Sequence, residues 1–72
     1  MNGGDYMQEK QYTLKQIRAL AGLSQQQAAD LLNVHVATYG KLEQAPGRLT
    51  LYQAFLLSEA AGIELNQIQF QG

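Results

Sequence analysis

The chain has 72 residues and no cysteine, and its single histidine, His35, has no second imidazole or carboxylate cluster beside it; disulfides and a metal site are therefore not expected. Five Lys or Arg against six Asp or Glu leave a net charge of −1, without the basic footprint that phosphate neutralisation gives a typical DNA-binding domain. So short a chain makes one domain burying roughly 60% of its unfolded surface, and no apolar run approaches the ~20 residues of a membrane span.

Residues 1–12, with Gly3, Gly4 and no periodicity, read as a flexible N-terminal arm, and 13–70 as the folded domain. The start, MNGGDYMQEKQ, lacks the basic and apolar regions of a signal peptide, so the cytoplasm of the cell is the expected compartment. Thr13 caps a first helix over 14–21, with Leu14, Ile17 and Ala21 inward and Gly22 as its stop. Ser24 and Gln27 form a Ser-x-x-Gln capping box for a second helix over 25–32. Ala28, Ala29 and Leu32 share one face of it, and Asn33 suits the left-handed conformation that ends a helix. Val36, Tyr39 and Leu42 repeat at helical spacing in a third helix over about 35–44. Ala45-Pro46-Gly47 reads as a loop. Thr50 caps a fourth helix over 51–61 ending at Gly62, and a short fifth helix over about 64–69 sets Leu65 and Ile68 against the core. No segment alternates as a strand does. The expected fold is all-α: five compact helices, the second and third packed across a tight turn.

That ordered set resembles the Cro/repressor-type, lambda-repressor-like helix-turn-helix family. The marks are Leu14-x-x-Ile17-Arg18, Gly22-Leu23-Ser24-Gln25 followed by Ala29, Leu32-Asn33-Val34, Lys41-Leu42-Glu43 and Ala60-Ala61-Gly62-Ile63. The resemblance covers roughly 13–69 and implies a structural ion pair between Arg18 and Glu43. It also implies that DNA or a partner meets Gln25 and Gln26 at the start of helix 2 and His35, Val36, Ala37, Thr38 and Lys41 at helix 3. At positions that the family usually fills with Lys or Glu stand Leu31, Tyr52 and Leu56, a possible second protein interface expected to be exposed.

Those reading positions suit DNA poorly. Val36 and Ala37 offer at best contact with thymine methyls, Gly40 adds nothing, and Arg48 is the only cation after helix 3. Two readings therefore stand. In one, the protein binds another transcription factor, a phage repressor of related fold, and modulates its hold on DNA, as the small modulator-of-repression switch proteins that it resembles do. In the other it is a Cro-like repressor that binds DNA weakly through Gln25, Thr38 and Lys41, as a homodimer. Catalysis is not expected, because the chain offers no cysteine nucleophile, second histidine or glycine-rich phosphate loop, and no cofactor is implied.

Overall fold

The computed structural model describes residues 10–71. Among them are four α-helices: α1 (Leu14–Leu20), α2 (Gln25–Leu32), α3 (Val36–Gln44) and α4 (Leu51–Ala61). Single 3-10 turns at Pro46–Arg48 and Leu65–Gln67 complete the regular structure.

Three of the four helices begin with the same device. Thr13, Ser24 and Thr50 each accept the N3 backbone N–H through the side-chain oxygen, and Gln16, Gln27 and Gln53 accept the cap N–H in return. Each box satisfies two backbone donors that a helix start otherwise leaves unpaired, and each capping hydroxyl contributes about 1 kcal/mol. The stops are equally local. Asn33 ends α2 at φ 58 and Gly62 ends α4 at φ 70, both left-handed. The N–H of Val34 and of Ile63 then reaches back to the carbonyls of Ala29 and Ser58, closing the turn that a left-handed residue permits.

The core gathers side chains from every helix. Leu14 and Ile17 of α1, Ala28, Ala29 and Leu32 of α2, Tyr39 and Leu42 of α3, and Ala54 and Leu57 of α4 are buried together with Ile68. α2 and α3 pack most closely on one another, helped by the small Ala28 and Ala29, while α4 lies on α1 and α2. The short turn Asn33-Val34-His35 between α2 and α3 sets the helix-turn-helix geometry.

Several expectations are corrected. The fifth helix does not form: Leu65–Gln67 is a 3-10 turn, and the chain then runs extended. Ile68 is buried as expected, but it is paired backbone to backbone with Tyr12 in an isolated parallel bridge. The Tyr12 N–H donates to the Gln67 carbonyl at 2.7 Å, and the Gln69 N–H donates to the Tyr12 carbonyl at 2.8 Å. Leu65 stays 36% exposed rather than entering the core. The arm expected over 1–12 lies outside the described residues up to position 9, and its last residue, Tyr12, is held by this bridge. α1 ends one residue early with Ala21 as its cap, and His35 caps α3 rather than opening it. The Ala45–Gly47 loop is partly ordered as the turn Pro46–Arg48, with Pro46 buried.

Candidate functional site

The outer face of the helix-turn-helix is assembled from the first turn of α2 and most of α3. Gln25, Gln26, His35, Ala37, Thr38 and Lys41 are all exposed there. Val36 is the exception. It is half-buried and packs against the core, so it contributes less open apolar surface than its position in the sequence suggests.

Local hydrogen bonds fix what several of these residues present. The Nδ1 of His35 accepts the N–H of Ala37 at 3.1 Å, so the imidazole caps α3 in the form that leaves Nε2–H facing outward. The Gln26 amide donates to Asp30 Oδ1 at 3.0 Å, one turn along α2. The Gln25 amide donates to Glu43 Oε1 at 3.0 Å, joining the start of α2 to the end of α3. A carboxylate only accepts, which requires the amide nitrogen of Gln25 to face Glu43 and its oxygen to point away.

Glu43 is the hub of the site. Its Oε2 receives the Arg18 Nε–H at 2.7 Å, and the Arg18 Nη1 also donates to the Leu23 carbonyl at 3.3 Å. The two side chains are 18% and 11% exposed, so the pair is largely removed from water. Burial opposes the ionised carboxylate, but the hydrogen bonds from Arg18 and then Gln25 outweigh it and hold the Glu43 carboxyl below its ordinary range. The expected ion pair is thus present, and it ties α1, α2 and α3 together.

Tyr39 lies beneath this network and is fully buried. Burial first, and then the nearby Glu43 carboxylate, push its hydroxyl well above the ordinary phenol range. The hydroxyl feels that charge without meeting hydrogen-bond geometry, and among the described residues it has no partner. Tyr39→Phe therefore leaves the packing intact and removes an unpaired buried oxygen. Thermal unfolding of that variant should show stability unchanged or raised by up to about 1 kcal/mol; a loss larger than about 1 kcal/mol would mean that the hydroxyl is bonded to Glu43 in solution.

The second expected interface is partly redrawn. Tyr52 is 69% exposed on α4, and Leu31 near the end of α2 is marginally exposed. Leu56 is half-buried and packed on the core, because α4 turns Ala54, Leu57 and Ser58 inward and Leu56 follows beside them. Leu51 and Phe55, for which the sequence sets no side, are both exposed, and so is Phe70. The sequence carries little signal for Leu51 and Phe55: Leu51–Ala61 is apolar around nearly its whole circumference, so periodicity does not choose an inner face.

Among the described residues no group of three or more His, Cys, Asp or Glu is placed to hold a metal ion. None of the described helices is long and apolar enough to cross a membrane.

A family model described as helix-turn-helix matches residues 14–68, from the first residue of α1 to the bridge at Ile68. The chain belongs to the lambda-repressor-like helix-turn-helix family. No curated protein and no solved structure matches it. In this helix-turn-helix protein α3 occupies the place of the helix that enters the major groove of DNA, with α2 above it. Membership makes the protein a DNA-binding-type transcription regulator.

Proposed function

We propose that the protein is a phage-type switch regulator that acts mainly by binding a repressor of related fold and changing that repressor's hold on its operator. The role is that of an antirepressor or co-repressor in a choice between lysis and lysogeny. The observation that carries this reading is the charge of the helix-turn-helix unit. From Gln25 to Gln44 the only Lys or Arg is Lys41, set against Asp30 and Glu43. Arg18, the cation nearest to that unit in its bonding, is spent on Glu43. Phosphate neutralisation supplies most of non-specific DNA affinity, and a helix-turn-helix unit with one lysine supplies little of it. A weakly charged, helical surface of this kind is suited to covering the DNA-binding face of another regulator or to joining it on the operator.

A Cro-like reading is favoured by a different observation: Gln25, Thr38 and Lys41 are all exposed on the face that family members turn to DNA. Thr38 and Lys41 carry groups able to meet base edges.

Salt-dependent mobility shift on an operator fragment separates the two. The protein-partner reading expects binding by the protein alone no tighter than non-specific, with Lys41→Ala making little difference. The Cro-like reading expects sequence-specific binding with a steep salt dependence, weakened by Lys41→Ala with the salt slope reduced by about 1.

A further inference from the structure

The C-terminal part of the molecule carries a surface that neither the core nor the helix-turn-helix uses. Leu51 at the start of α4 and Leu65 and Phe70 beyond it line one shallow cleft of about 470 Å³, together with Glu64 and Asn66. Leu51 is 72% exposed, and Phe55, one helical turn further along α4, extends the same apolar strip. Contiguous exposed apolar side chains on a small domain mark an interaction site rather than ordinary surface.

Charge decides what the surface accepts. From Leu49 to Gln71 the chain has no Lys, Arg or His; its charged groups are Glu59 and Glu64, both exposed. Glu64 lies in the wall of the cleft itself. Nucleic acid and anionic lipid are both disfavoured by that sign. A second copy of the same face brings no Lys, Arg or His from 49–71 to meet Glu64, whereas a basic segment does.

We propose that this face docks a protein segment that is apolar along its centre and carries Lys or Arg at its edge, the basic group meeting Glu64. A basic amphipathic helix is the simplest form of such a segment. The biological meaning of the surface rests on the protein-partner reading given above; the surface itself is testable without DNA or a repressor.

The probes are two synthetic amphipathic helical peptides of equal length, one built from Leu and Lys and the other from Leu and Glu. Isothermal titration should show the Leu/Lys peptide binding in a one-to-one complex that weakens as salt rises, and the Leu/Glu peptide not binding. The paired change Leu51→Lys with Phe70→Lys, with helical content checked by circular dichroism, should weaken the Leu/Lys complex by about tenfold or more. Glu64→Gln should weaken it by a few-fold and flatten its salt dependence. Leu20→Lys, in the separate groove formed with Lys10, Tyr12, Gln16 and Ala19, should leave it unchanged. Equal binding of both peptides, no binding of either, or a complex indifferent to the paired change would overturn the proposal. So would a concentration-dependent dimer, seen by sedimentation equilibrium, that the Phe70→Lys change dissociates. None of these failures bears on whether the protein modulates a repressor, which the mobility shift decides separately.

Discussion

Arg18→Ala is expected to lower the melting temperature by about 10–20 °C, the equivalent of about 2–3 kcal/mol in a domain of this size. The reason is what it leaves behind. Glu43, 11% exposed in the intact protein, loses its main partner, and a carboxylate left largely away from water costs more than an exposed bridge returns. The value falls between that of an exposed pair and that of a fully buried one, in keeping with the partial burial. The same site gives the protein an acid limb. Because the folded carboxyl of Glu43 is held below its ordinary range, its contribution is fully present above about pH 4.3 and is lost as pH falls through the lower folded value. Glu43→Gln should therefore be less stable at neutral pH and lose less on acidification. An Arg18→Ala variant that melts with the wild type would show that the pair is ornamental to the fold.

Ile68→Ala is expected to cost about 2–4 kcal/mol, as much as a truncation in the middle of a core helix, although Ile68 lies four residues from the end of the chain. Its side chain is 1% exposed and sits in the same cluster as Leu14, Ile17 and Leu57. The flanking backbone bonds to Tyr12 hold the two ends of the domain together. Denaturant unfolding measures the loss. A cost under about 1 kcal/mol would mean that the C-terminal segment packs only loosely and that the domain closes at Gly62.

What the sequence made legible was local chemistry. Thr13, Ser24 and Thr50, each followed three residues later by glutamine, fix three helix starts with no need of tertiary information. Asn33 and Gly62 fix two stops for the same reason. The Arg18–Glu43 pair was legible through family resemblance, since 25 residues of chain separate its partners. The missing fifth helix was not legible, because Leu65 and Ile68 have helical spacing but their segment is too short to hold a helix against the competing bridge to Tyr12. The sides of α4 are hidden by its uniform apolarity, so pattern alone does not set Leu51 and Phe55 outside or turn Leu56 toward the core. At the reading face Ala37, Thr38 and Lys41 are exposed, while Val36 is half-buried, as its helical spacing with Tyr39 and Leu42 implies and its place among the reading positions does not. Its side chain packs against the core cluster from the start of α3.

The most direct measurement is a mobility shift at physiological salt, in which a labelled operator and a repressor of the same family from the same genome are titrated with this protein. The account predicts weak or no shift by the protein alone, and loss or supershift of the repressor band when it is added. Tight, sequence-specific binding by the protein alone, with the repressor band unaffected, would contradict it and make the chain a Cro-like repressor in its own right.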